Sequence, residues 1–231
     1  PISANRAWFF GAYQPALTST TRDVTAASSG NPAANAASVD QSAQVQYILA
    51  NTTAQISNGL RSRLSYNNSW SKTDGILPTQ LGSDPLGTNY SKISTFPNWT
   101  LSGNLDWVAT PTLFFGIRGG YYTSDRSDTN VTQEPRYIFS STNIGLAGVP
   151  VDLQRVSGFS SFPDAAFRGT IRDQQTRANF QADGTVYAKG GGEHQIKFGV
   201  QIDQVGNNVL AGEAANRVTI RWDTALSTGV P

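Results

Sequence analysis

The chain has 231 residues, 38% of them hydrophobic, with a mean hydropathy of −0.32 and 17 basic against 16 acidic residues, a formal charge of +1. A balance this even leaves no electrostatic footprint for nucleic acid, and without a run of about 18 apolar residues no helix is expected to cross a membrane. Cysteine is absent, which removes disulfides and thiolate metal sites and is compatible with an extracytoplasmic setting.

The chain opens Pro1-Ile2, carries no Met, and shows neither a charged n-region nor an apolar h-region, so a processed or excerpted segment is expected. Ala7 to Gln14 reads as a short aromatic strand, followed by a long polar connection from Pro15 to Ala43. Val45 to Ile56 is a weaker strand whose outward set is Ile48, Ala50, Ala54 and Ile56, and Ser57-Asn58-Gly59 forms a tight reversal. In the next strand Leu60, Leu64, Tyr66 and Trp70 oppose Arg61, Arg63, Ser65, Asn67 and Ser69. A second long connection runs from Asp74 to Ile93.

Trp99 to Ala109 is the strand that can be measured. Trp99 and Trp107 share a face with Leu101, Gly103 and Leu105, about 26 Å apart at ~3.3 Å per residue. A tilt of about 40° reduces this to roughly 20 Å, close to the ~25 Å apolar band of a membrane barrel bracketed by aromatic girdles. Thr110-Pro111-Thr112 is the next short joint; Leu113, Phe115, Ile117 and Tyr121 then oppose a face holding Arg118. The third long connection spans Ser127 to Ile171.

The last part alternates most clearly. Ala178, Phe180, Ala182, Gly184, Val186 and Ala188 oppose Asn179, Gln181, Asp183, Thr185 and Tyr187. After the turn Gly190-Gly191-Gly192-Glu193, His194, Ile196, Phe198, Val200 and Ile202 oppose Gln195, Lys197, Gly199, Gln201 and Asp203. Arg217 to Trp222 offers an eighth strand. The expected fold is therefore all-β: an antiparallel meander of seven or eight strands, forming part of a transmembrane β-barrel. Short turns lie at one end, periplasmic in such a barrel, and long loops at the outer end. The competing arrangement is a soluble β-sandwich, in which the same apolar faces pack inward and exposed Trp and Tyr form a carbohydrate-binding or adhesin platform.

Three patches carry a resemblance. PISANRAWFFGAYQP at Pro1 to Pro15, TPTLFFGIRGGYYTSD at Thr110 to Asp125 and GEHQIKFGVQID at Gly192 to Asp203 occur in the order found in TonB-dependent outer-membrane receptors. Together they resemble the Oar-like branch, which has a carboxypeptidase-regulatory-like N-terminal extension. The resemblance implies a receptor of about 22 strands around a plug domain, energised by the TonB complex through segments not in this chain. A metal chelate, glycan or peptide would be taken up across the outer membrane. Residues 1–231 would then be a partial barrel domain. The ending Ser227-Thr228-Gly229-Val230-Pro231, which lacks a final aromatic residue, points to an internal slice. The expected partners are outer-membrane lipid, the rest of the barrel and its plug.

Chemistry is sparse. His194 is the single histidine and reads as a turn or interface residue, so no catalytic residue and no enzymatic step are expected. Lys189-Gly190-Gly191-Gly192 lacks the spacing and helix of a phosphate loop. Asp125, Asp128 and Asn130 offer clustered oxygens without the spacing of a calcium loop, and no metal or cofactor is assigned. Asn51-Thr52-Thr53, Asn98-Trp99-Thr100 and Asn130-Val131-Thr132 fit the glycosylation pattern, which carries no meaning in a bacterial outer membrane. Arg61, Arg63, Arg118, Lys197, Asp106, Asp183 and Asp203 are candidate lumen residues of mixed sign, suited to pairing with one another or with a plug.

Overall fold

The computed structural model describes residues 6–24, 37–78 and 90–222. The fold is all-β, with 73% of the described residues in strands and 4% in helix. Seven long strands form one antiparallel meander: β1 (Ala7–Val24), β2 (Ala37–Ser57), β3 (Leu60–Asp74), β4 (Ile93–Thr110), β5 (Leu113–Thr129), β7 (Arg168–Lys189) and β8 (Glu193–Glu213). Each pairs with the next of these seven in chain order, and among the described residues β1 and β8 each keep one unpaired edge. The sheet is thus open. Short β6 (Arg136–Phe139) and β9 (Arg217–Ile220) form a separate two-stranded parallel sheet.

The three short joints stand where the sequence places them, all at one end of the sheet. Asn58-Gly59 and Pro111-Thr112 each close a hairpin after a register shift in the preceding strand. At the glycine turn, Gly191 and Gly192 take φ of 68° and 152°, conformations that side chains resist.

The strands are much longer than their alternation indicates. β1 continues to Val24, β2 starts at Ala37, β4 starts at Ile93, β5 reaches Thr129, β7 starts at Arg168 and β8 reaches Glu213. Much of what reads as loop is therefore sheet. The physical reason is that period two marks only the length over which the two faces meet different media. Past that length both faces are polar, and cross-strand bonds hold the extension: Thr21 Oγ1 to Asp40 at 2.6 Å, Ser38 Oγ to Asp23 at 2.7 Å and Ser94 Oγ to Asp128 at 2.5 Å. Pro97 does not end β4, although the β4–β5 ladder skips Phe96 and Pro97, where the proline nitrogen has no hydrogen to give.

Arg217 to Trp222 is not an eighth strand of the meander; only Arg217–Ile220 is extended, and it lies parallel to β6. The connection read as a loop from Ser127 to Ile171 contains β6, a 3-10 turn at Val151–Leu153 and a one-turn helix at Asp164–Phe167. Its Phe162, Ala166 and Phe167 form a small buried cluster, with Ile76 packed against it. Residues 25–36, 79–89 and 223–231, which include parts of the first two long connections and the Ser227–Pro231 ending, lie outside the described residues, as does the opening Pro1-Ile2.

Among the described residues no helix is long and apolar enough to cross a membrane. The seven-stranded sheet forms a single layer among the described residues. Its apolar side chains are uncovered: Leu64, Leu101, Ile117, Phe180, Ile196, Phe198, Val200 and Ile202 are all exposed.

Candidate functional site

Register decides which side chains share a face, because directly opposed residues in an antiparallel pair point the same way. Ile202 faces Phe180, Val200 faces Ala182 and Ile196 faces Val186. Ala182 continues to Ile117, Ile117 to Leu105, and Trp107 to Leu60. Further along, Tyr66 faces Ala50 and Ile48 faces Tyr13. The apolar faces expected separately for the strands therefore merge into one surface. Ile56 falls out of it, sitting in the register shift between Gln55 and Ser57.

Aromatic rows bound this surface. At one margin Tyr66, Trp99 and Tyr121 run across β3, β4 and β5, with ring centroids 6.4 Å and 5.3 Å apart. At the other, beside the short turns, Trp107 stacks on Phe115 at 5.6 Å. Between the rows the wall is packed edge to edge; a Cβ on Gly184 would lie 2.5 Å from the Phe198 ring, so that ring lies on the glycine of the neighbouring strand. Above the first row the same face becomes polar, with Thr123 and Asp125 on β5, Thr176 and Gln174 on β7, and Gln204 and Asn208 on β8. The 22 residues of β7 span about 70 Å, and about 55 Å at a 40° tilt. That is more than twice the ~25 Å of an apolar band.

The opposite face carries charge. All seven expected lumen residues lie on it: Arg61 opposes Asp106, Arg118 Nη1 reaches Asp183 Oδ1 at 2.8 Å, and Asp203 meets Arg177 Nη2 at 3.6 Å. Arg63 opposes Asn104, whose amide donates to Asp106 at 3.0 Å, while Lys197 opposes Thr185. Asn179, read from alternation as part of the polar face, belongs to the same surface, as do Arg177 and Asn104, which the sequence does not single out. Strand alternation extended past Ala178 would have found Arg177. The Arg118–Asp183 pair is half exposed, so it contributes no more than about 1 kcal/mol. These pairs set the surface chemistry more than they hold the fold.

Beyond the polar extensions lies a cap. Lys92, just before β4, forms a buried pair with Asp128 of β5 at 3.2 Å, their side chains 8% and 1% exposed. The Lys92 ammonium also donates to the carbonyls of Ala165 and Arg168, at 2.9 Å and 2.8 Å. It thereby ties the second long connection to the third. Asp164 gathers three arginines, Arg136 at 2.6 Å, Arg168 at 3.1 Å and Arg217 at 3.6 Å. An aromatic hollow opens between Tyr137, Phe139, Phe159 and Trp222.

Burial alone would raise the Asp128 pKa, but hydrogen bonds from Ser94 and the Thr170 N–H, with the Lys92 ammonium beside it, hold it below the ordinary carboxylate value. A depressed folded-state pKa means stability that is complete above the unfolded value, about 3.9, and lost as pH falls through the folded value. Unfolding free energy measured between pH 7 and pH 3 should therefore stay level to about pH 5 and decline below about pH 4. In Asp128→Asn this part of the decline should vanish; an unchanged slope would contradict the assignment.

The remaining candidates separate. His194 ring nitrogen contacts the Gly190 carbonyl at 3.0 Å, bracing the glycine turn. Asp125, Asp128 and Asn130 do not form a cation site: Asp128 is held by Lys92, and Asn130, at φ 55°, turns its amide to the Ser91 carbonyl at 3.4 Å. Among the described residues no three His, Cys, Asp or Glu side chains converge. Comparison with family models, curated proteins and solved structures gives no match.

Proposed function

We propose that this chain is part of the wall of an outer-membrane β-barrel belonging to a TonB-dependent receptor of the Oar-like type, which takes up a solute across the outer membrane. One observation carries the reading: an uncovered apolar face confined between two aromatic rows, backed by a charged face, on strands joined by short turns at one end and long connections at the other. In this reading the apolar face meets lipid and the charged face lines the lumen. The short turns lie in the periplasm, and the polar extensions with their cap project outward.

Strand parity supports a larger barrel. With seven strands in an antiparallel meander, β1 and β8 run in the same direction, so they could close only as a parallel pair, whereas bacterial single-chain barrels use even numbers of antiparallel strands. The free edges of β1 and β8 are accordingly assigned to further strands of the same receptor. A plug would face the Arg–Asp surface, and coupling to the TonB complex would use segments of the receptor other than this wall. The proposal involves no catalytic step and no cofactor.

A soluble sandwich would need a second layer over Ile117, Phe180 and Val200, and the described residues supply none. The test is fractionation of the intact protein, followed by electrophoresis with and without heating. Recovery in the detergent-extracted outer membrane, with mobility that changes on heating, is expected. Recovery in the detergent-free soluble fraction would overturn the reading.

A further inference from the structure

The lumen-facing surface is not uniform. Two of its charged pairs, Arg61–Asp106 and Arg118–Asp183, lie toward the short turns and a third, Arg177–Asp203, joins β7 to β8, whereas on β1 to β5, at the level of the upper aromatic row, the register lines up an uncharged band. Gln14, Tyr47, Ser69, Asn98 and Ser124 form one row directly across β1 to β5. In the next row Asn67 opposes Thr100, which opposes Tyr122. No Asp, Glu, Lys or Arg stands in either row on these five strands.

Part of this band is concave. A hollow of about 300 Å³ is lined by Gln14, Tyr47, Asn67, Ser69, Asn98 and Thr100 among others, with the Tyr47 ring 47% exposed at its side. The internal bonding is thin. Asn98 donates to Ser69 Oγ at 3.4 Å, a long bond, and among the described residues Gln14, Tyr47, Asn67 and Thr100 have no side-chain hydrogen-bond partner. Amides and hydroxyls of this kind both donate and accept.

We infer that this hollow is a subsite for a neutral, polyhydroxylated solute, an uncharged oligosaccharide, passing along the lumen face. A sugar presents an apolar C–H face that lies on an aromatic ring, and a rim of hydroxyls that both donate and accept. Tyr47 supplies the ring and the surrounding amides supply the rim. On β1 to β4, which line the hollow, a charged solute meets no counter-ion within these two rows and would lose hydration without compensation; Arg177, opposite Tyr122, is paired with Asp203. Tyr122, three strands from Tyr47 and so about 14 Å away, offers a second ring along the same band. The inference rests on the lumen assignment given above and adds the substrate class to it.

The test is calorimetric titration of the intact protein in detergent with malto-, cello-, manno- and chito-hexaose, and with oligogalacturonate as the anionic counterpart. Binding of at least one neutral hexaose is expected, with oligogalacturonate at least about tenfold weaker. Tyr47→Ala should weaken that hexaose about tenfold, the size of one aromatic contact. Tyr47→Phe should stay within about threefold, because it keeps the ring, and Tyr13→Ala, on the opposite face of the adjacent strand, should bind like the parent. The inference is overturned if no neutral hexaose binds, if Tyr47→Ala stays within about twofold, or if Tyr13→Ala weakens binding equally. Failure of the protein to partition into the outer membrane would instead overturn the barrel reading itself.

Discussion

Ile117→Arg should reduce the stability of the protein in lipid bilayers by about 2–4 kcal/mol, whereas Gln181→Arg should change it by less than about 1 kcal/mol. Ile117 stands midway between Leu113 and Tyr121 on the apolar face, opposite Leu105 on one side and Ala182 on the other. In the proposed barrel an arginine there would be held at the centre of the hydrocarbon, the depth at which a barrel accepts charge least. Gln181 lies on the other face of β7, opposite Arg118 and Gln201, where added charge meets water and the neighbouring carboxylates. A third variant, Thr123→Arg, above the aromatic row, should fall near the Gln181 result because cost declines with distance from the midplane. Urea-driven unfolding from vesicles of defined thickness measures all three. Equal costs at Ile117 and Gln181 would contradict the assignment of faces.

Lys92→Ala should destabilise the cap by about 3 kcal/mol. The Asp128 carboxylate is almost fully buried and would keep its negative charge without the ammonium 3.2 Å away. Ser94 Oγ and the Thr170 N–H still donate to it, at 2.5 Å and 2.8 Å, which places the cost at the low end for a broken buried pair. The same substitution releases the carbonyls of Ala165 and Arg168, so the one-turn helix and the Phe162–Phe167 cluster should loosen together. Limited proteolysis should then cut between residues 130 and 167 while the meander stays intact. The double variant Lys92→Met with Asp128→Leu should recover part of the loss by removing both charges. Cleavage at the parent rate would sink this account of the cap.

What each residue type faces decides which strands are legible in the sequence. Ile196 to Ile202 and Leu113 to Tyr121 declare their strands because they alternate between an apolar and a polar side, and the register joins those alternations into one surface. The three short joints were legible for a different reason: Gly, Asn and Pro occupy positions where a tight reversal restricts the backbone. Ala37 to Gln44 and Gln204 to Glu213 were not legible as strands, since both of their faces carry mainly polar or small residues and no period survives. The start of β4 was not legible either: Pro97 lies inside it where the β4–β5 ladder skips Phe96 and Pro97.

The sites divide in the same way. The Arg–Asp surface followed from alternation alone, although the partners Arg177–Asp203 and Arg118–Asp183 required the register. The Lys92–Asp128 pair could not be read from spacing, because it joins two long connections 36 positions apart in sequence. The uncharged row from Gln14 to Ser124 is likewise invisible in any one strand. It exists only when five strands are laid side by side.

The central claim is that one face of this sheet meets lipid over a limited height and the other meets water. Because the chain contains no cysteine, single cysteines can be placed from Gln195 to Asn208 in the intact protein, spin-labelled, and probed in lipid vesicles for collision with oxygen and with a water-soluble nickel chelate. The account predicts a period of two from Ile196 to Ile202, with even positions favouring oxygen and odd positions the chelate, and chelate access at both parities from Gln204 to Asn208. Uniform chelate access along the whole of this segment would contradict it.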